Sequence, residues 1–218
     1  MLKRLIEVAL PLKEVSKQSA REKSSQQGHQ STSSAAQDLL SRHRGAFGTI
    51  LADPPWRFTN RTGKMAPEHR RLSRYATMTL REIMELPVAQ LAAKQSHLYL
   101  WVPNALVLEG LEVMRRWGFT YKTSLIWYKI RKDGGPDGRG VGFYFRNVTE
   151  MILFGVRGSL RTLKAGRRQT NVIVSRKREH SRKPDELYEI IERCSPGPYL
   201  ELFARHNRDG WTQWGDEI

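Results

Sequence analysis

From about residue 46 onward, short apolar runs alternate with amphipathic stretches. Largely apolar runs at 49–52, 97–102, 123–128, 150–156 and 199–203, rich in β-branched and aromatic residues, predict buried strands. Between them the apolar positions take helical spacing. Thr79 followed three residues later by Glu82 predicts a capping box, and Ile83, Met84 and Leu86 supply the buried side of a helix. Pro87 interrupts that helix before Ala89 to Ala93. Asn104 is the expected cap of the next helix, which carries Leu106, Leu108, Leu111, Val113 and Met114 and ends at Trp117-Gly118. Pro184-Asp185-Glu186 opens a third, with Leu187, Ile190 and Ile191 inward and Ser195-Pro-Gly197 at its end. Strand–helix–strand succession of this kind predicts an α/β domain with a mostly parallel sheet.

Residues 1–45 break the pattern. Leu2, Leu5, Ile6 and Leu10 would line one side of a short helix. Lys13 to Gln37 is rich in Ser, Gln and Lys, with too few apolar residues for a core. The expected organisation is a polar leader over 1–45 and one domain over 46–218, a length that suits a single well-buried core.

Composition adds a partner to this picture. The 37 Lys and Arg against 22 Asp and Glu leave a formal charge of +15. Folding does not require such an excess, and it favours a polyanion, nucleic acid before membrane. One cysteine excludes an intramolecular disulfide framework and fits a reducing cytoplasm. No apolar run reaches membrane-spanning length, and no metal-ligand cluster is visible, so no membrane partner and no metal are expected. The basic residues concentrate at Arg157, Arg161, Lys164, Arg167, Arg168, Arg176, Lys177, Arg178 and Arg182, a series expected to contact phosphate. Arg131 to Gly142, with five glycines and three cations, reads as a basic loop.

The candidate chemistry sits where the first strand stops, at Asp53-Pro54-Pro55-Trp56. Two prolines force an extended, stiff exit. A carboxylate, a carbonyl and a large ring therefore collect at a strand's carboxyl end, where open α/β sheets bind ligands. Asp53 and the Pro54 carbonyl could accept the hydrogens of an exocyclic amine, freeing its lone pair to attack a methyl sulfonium, with Trp56 or the proline faces stacked on the base. A capped strand end with a rigid turn and a core tryptophan explains the four residues equally well.

The motif has company. Tyr75-Ala-Thr-Met78, Leu98-Tyr-Leu-Trp-Val102, Trp117-Gly-Phe119, Ile126-Trp127, the Arg146-Asn147 to Phe154-Gly155 stretch, Lys183-Pro-Asp-Glu186, Ser195-Pro-Gly197 and Glu201-Leu-Phe-Ala-Arg-His-Asn207 follow it in order. Together they resemble the family of mRNA adenosine methyltransferase subunits and their bacterial and phage relatives, and the chain looks like a bacterial or phage member. The resemblance runs from about Ile50 to Trp214. It implies a Rossmann-like S-adenosylmethionine-dependent methyltransferase fold in permuted order, with the catalytic motif before the cofactor motif. It also implies roles. Asp53, Pro54, Pro55 and Trp56 would be catalytic. Asp53, Lys183, Phe203, Arg205, His206 and Asn207 would hold S-adenosylmethionine. Tyr75 would meet the target base, with Lys129, Arg167, Arg168, Arg176 and Arg178 on the nucleic acid. Asp216 and Glu217 depart from the family's amide pair. Leu5 to Val15 further resembles the opening of a group of large bacterial DNA methylases, a hint towards DNA. The expected activity is methylation of the exocyclic amine of adenine in DNA. RNA, a catalytically silent nucleic-acid-binding subunit and a homodimer are left open.

Overall fold

The computed structural model of the chain describes residues 36–57, 77–138, 144–176 and 183–215. In chain order its elements are β1 (Phe47–Ala52), α1 (Leu80–Glu85), α2 (Val88–Leu91), β2 (Ala92–Val102), α3 (Val107–Arg116), β3 (Thr120–Ile130), β4 (Thr149–Arg157), β5 (Val172–Arg176), α4 (Asp185–Cys194), β6 (Tyr199–Leu202) and β7 (Trp211–Trp214). One seven-stranded sheet runs in the order β5-β3-β4-β2-β1-β6-β7. Before β1, residues 36–43 are helical, with Ala36 and Leu39 buried.

The sheet is largely parallel but mixed. β4 runs against both neighbours, β2 and β3, while the other four pairings are parallel. Alternation along the strands divides the core between its two faces. Ile50, Ala52, Leu98, Leu100 and Leu153 meet Ile83, Val113 and Met114 on one side. Leu51, Tyr99, Trp101, Ile152 and Ile173 meet Leu187, Ile190 and Ile191 on the other. Each fully buried aliphatic side chain stabilises by about 1.5–3 kcal/mol. The result is helix, sheet, helix in three layers.

Local signals held where they were chemically complete. Glu82 N–H donates to Thr79 Oγ1 at 3.3 Å and Thr79 N–H to Glu82 Oε2 at 2.6 Å, closing the expected capping box. Asn104 differs from expectation. Its side chain does not cap α3; its amide donates to the Thr149 carbonyl at 3.3 Å and ties the turn before α3 to the start of β4. Strands β5 and β7 are additions. Val172-Ile-Val174 lies inside the basic series and becomes a strand by pairing with β3, and Trp211–Trp214 pairs with β6.

Candidate active site

Pairing directions bring the carboxyl ends of β1, β2, β3, β5, β6 and β7 to one edge of the sheet, and β4 begins there. Asp53 leaves β1 at this edge beside the end of β6, its N–H 3.5 Å from the Leu202 carbonyl. The prolines hold an open turn. Trp56 N–H donates to the Pro54 carbonyl at 2.8 Å, and Met78 N–H to the Pro55 carbonyl at 2.9 Å. A carbonyl oxygen has a second lone pair, so Pro54 can accept again. The Trp56 ring is buried in the core, and its indole N–H donates to the Trp101 carbonyl at 2.9 Å. The tryptophan braces the turn that presents Asp53.

The side chains at this edge form a chain of alternating charge. Lys183 Nζ lies 3.2 Å from Asp53 Oδ2 and 3.1 Å from Glu150 Oε2, and Glu150 Oε1 accepts from Lys129 Nζ at 2.7 Å. Burial works to raise the Glu150 carboxyl, but Lys183 and Lys129 outweigh it and leave the group below its ordinary range. Burial likewise works to lower the Lys183 ammonium, and Asp53 and Glu150 reverse the sign. The four charges cancel, so the crevice can hold a neutral amine without a field that favours its protonation. Lys183 also stands 4.2 Å above the Trp101 ring. Trp101 is 2 % exposed, and its indole N–H has no hydrogen-bond partner among the described residues. An orphaned buried donor costs roughly 1–3 kcal/mol, which an incoming acceptor would recover.

Next to Asp53, the chain turns sharply out of β6. Phe203 takes φ 65°, the left-handed region, at a cost of order 1–3 kcal/mol for a residue with a side chain. Its ring packs edge-on against Trp214 at 5.5 Å. Ala204 N–H donates to the Trp214 carbonyl at 3.1 Å. A Cβ on Gly215 would lie 2.2 Å from the Ala204 carbonyl oxygen, so only glycine permits this approach. Gln213 donates to the His206 carbonyl and, at 3.3 Å, to Glu201 Oε2. Tyr188 donates to Glu201 Oε1 at 2.8 Å. Burial raises the Glu201 carboxyl, and burial followed by the Glu201 charge raises the Tyr188 hydroxyl. The loop is thus fixed by β7 and α4, with Arg205 half-buried and His206 and Asn207 exposed.

The expected residues divide. Asp53, Pro54, Pro55, Lys183 and the Phe203 to Asn207 loop gather at one edge, with Trp56 behind them. Lys129 reaches the same edge but points at Glu150, and Arg176 lies opposite Ile130 at the end of β5. Arg167 and Arg168 lie beyond the opposite edge, next to the end of α4. Arg157 donates to the Ala89 and Ala92 carbonyls, a structural task. The basic series is therefore not one surface. Tyr75, Arg139, Lys177, Arg178, Arg182, Asp216 and Glu217 lie outside the described residues. The sequence reading gave Glu150 no role, and it named Glu201 only as the first residue of the Glu201 to Asn207 motif. The available signal was an acid opening an otherwise apolar strand, and another inside one.

A family model described as MT-A70 matches residues 47–217. A putative N(6)-adenosine-methyltransferase MT-A70-like protein of Medicago truncatula is 38 % identical over 180 residues, spanning 80 % of this chain and 27 % of that protein. The N(6)-adenosine-methyltransferase catalytic subunit METTL3 of Homo sapiens is 33 % identical over 180 residues, 80 % of this chain and 28 % of its own. The type II methyltransferase M.MunI of a Mycoplasma species is 27 % identical over 194 residues, 80 % of this chain and 79 % of its own. The chain thus spans about a quarter of the plant and animal relatives. Their names correct the expected substrate. The relatives at a third identity or more carry the name N(6)-adenosine-methyltransferase, and adenosine is the ribonucleoside, so DNA as substrate and partner, and an adenine-specific DNA methyltransferase as the enzyme, are set aside. Most relatives are eukaryotic, which does not carry the expected bacterial or phage origin.

Proposed function

The chain belongs to the MT-A70 family, and from that premise we propose that it methylates the N6 amine of adenosine in RNA. Its methyl donor is S-adenosylmethionine, which when bound supplies an electrophilic methyl group on a sulfonium. The residues present fit that group. Lys183 and the Phe203 to Asn207 loop would hold it beside Asp53, and the Trp101 indole N–H offers a buried donor still to be satisfied.

The chain's own part is positioning and charge. Among the described residues Asp53 pairs with Lys183 through Oδ2, which leaves Oδ1 outside that pair. An adenosine amine would donate one hydrogen to Asp53 Oδ1 and the other to the Pro54 carbonyl. Both bonds pull the nitrogen towards tetrahedral geometry and expose its lone pair to the methyl group. As the N–C bond formed and the methyl left its sulfur behind as a neutral thioether, the amine would become acidic, and Asp53 would accept the proton it shed. Lys183 holds the Asp53 carboxylate in position for that role, and Glu150 with Lys129 keeps Lys183 in place. Donor groups fixed in advance cost no reorganisation when charge develops.

The catalytic strand β1 precedes the cofactor strand β6 in the chain although the two pair directly, which supports the permuted methyltransferase order. The observation that carries the reading is the Lys183 bridge between Asp53 and Glu150, adjoining the β6 loop. The test is incubation with tritiated S-adenosylmethionine and sequence-matched RNA and DNA oligonucleotides. Label in the adenosines of RNA is expected. Label confined to DNA, or none on either polymer, overturns the reading.

A further inference from the structure

The catalytic edge leaves a problem of charge. Asp53, Glu150, Lys129 and Lys183 cancel there, so the +15 of the chain must act elsewhere if it is to hold a polyanion. One cavity of about 580 Å³ lies at the other end of β3 and β4. Lys122, Arg161 and Arg167 line it, with Ser159 and Thr162 and a floor that includes Phe154; among the described residues no acidic one lines it. Among the described residues, none of the three cations pairs with a carboxylate.

This cluster is built rather than incidental. The pairing of β3 with β4 slips between Tyr121 and Thr123, so Lys122 is the extra residue of a bulge, a device that re-aims a side chain. The loop after β4 is tied on both sides. Ser159 N–H donates to Gln95 Oε1 at 2.8 Å, and Leu163 N–H to the Cys194 carbonyl at 2.8 Å. Gly166 N–H closes the next turn on the Leu163 carbonyl at 3.0 Å, and a Cβ on Gly166 would lie 2.4 Å from Cys194 Sγ. Arg161 and Arg167 are thereby carried on a fixed frame.

The floor decides what the cavity reads. Phe154 is 7 % exposed, and its ring is occupied by His97 at 4.9 Å and Tyr99 at 5.0 Å. No open aromatic face is left for a base. Three exposed cations and two hydroxyls over a closed floor suit a phosphate diester. Six residues of β4 separate Glu150 from Val156, about 20 Å at strand rise.

We propose that this cavity binds backbone phosphate of the same RNA strand whose adenosine occupies the crevice, anchoring it about 20 Å from the reacting amine. The proposal rests on the RNA reading above, and the two fail separately. The chemistry recognised is a phosphate ester, which a free mononucleotide also offers.

The experiment uses the full chain, its K122A/R161A/R167A and K122E/R161E/R167E variants, and RNAs of about 4 and about 16 nucleotides carrying one target adenosine. Anisotropy titrations over a salt series and methyl transfer are both read, with circular dichroism confirming the fold. Wild-type transfer to the short RNA tests the RNA reading alone. For the cavity, the glutamate variant should bind the long RNA at least tenfold more weakly. The salt slope should fall by roughly 0.7 for each lost single-strand contact, and the alanine variant should show the slope change with a smaller loss. Transfer to the short RNA should be unchanged. Equal losses on both lengths, or none on the long RNA, overturn the anchor. Competition by adenosine monophosphate that displaces the long RNA from wild type but not from the alanine variant assigns the site to a free nucleotide, and also overturns it.

Discussion

Two polar clusters occupy opposite ends of the same sheet, the first part-exposed and the second buried. At the catalytic edge, four alternating charges keep spare capacity, an Asp53 oxygen outside the Lys183 pair and a Trp101 N–H without a partner among the described residues. At the other end, Ser195 Oγ lies 2.8 Å from both His97 Nδ1 and Tyr99 Oη, and His97 Nε2 lies 3.4 Å from the Leu160 carbonyl. A carbonyl only accepts, so one proton order satisfies everything. Tyr99 donates to Ser195, Ser195 to His97 Nδ1, and His97 Nε2–H to Leu160. This cluster is neutral and closed. Folding needs every buried polar group answered, whereas binding needs some left unanswered.

The sharpest break in this contrast is Asp53→Ala. It should lower methyl transfer at least about a hundredfold while leaving the thermal midpoint nearly unchanged. A folded variant that keeps most activity would remove Asp53 from the mechanism. Glu150→Gln should come next, with kcat/KM down by roughly tenfold, because Lys129 and Lys183 lose their shared anion. Activity close to wild type would show that Lys183 holds its place without Glu150.

At the closed end the signs reverse. Ser195→Ala should cost about 1–3 kcal/mol of stability by stranding His97 and Tyr99, with kcat per folded molecule unaffected. A change in kcat without a change in denaturation midpoint would sink the division between the two clusters. The smallest effect is one of pH. Burial holds the His97 imidazole below its ordinary 6.5, opposed only by the Leu160 carbonyl. Its contribution is therefore complete above pH 6.5, and is lost as pH falls from there towards the folded value, where the unfolded chain binds the proton first. Denaturant titrations from pH 7.5 to 5 should show that decline, and His97→Gln should flatten it.

These clusters also separate what the sequence could disclose from what it could not. The capping box of Thr79 and Glu82 was legible because both partners lie within one turn. Asp53 was legible because two prolines after a strand allow few geometries. Glu150 was not, since its place beside Lys183 depends on β4 entering between β2 and β3 in reverse. Val172–Arg176 carries strand-forming residues, but the flanking cations hid them until pairing with β3 supplied the context. The basic series read as one surface because 157 to 182 is continuous in sequence. In space β4 and β5 carry its ends to different edges, and the long-range pairing that does so leaves no local mark.

The reversed strand has one more consequence. Because β4 starts where β3 finishes, the connection between Ile130 and Thr149 has both its ends at the catalytic edge. Connections through α3 or α4 must cover a face, so their lengths are fixed by the layers they span. Residues 131–148 carry no such constraint. A family that diversifies its targets can lengthen, shorten or exchange this segment beside Glu150 while the scaffold stays in register, which makes it the natural grafting point for new specificity.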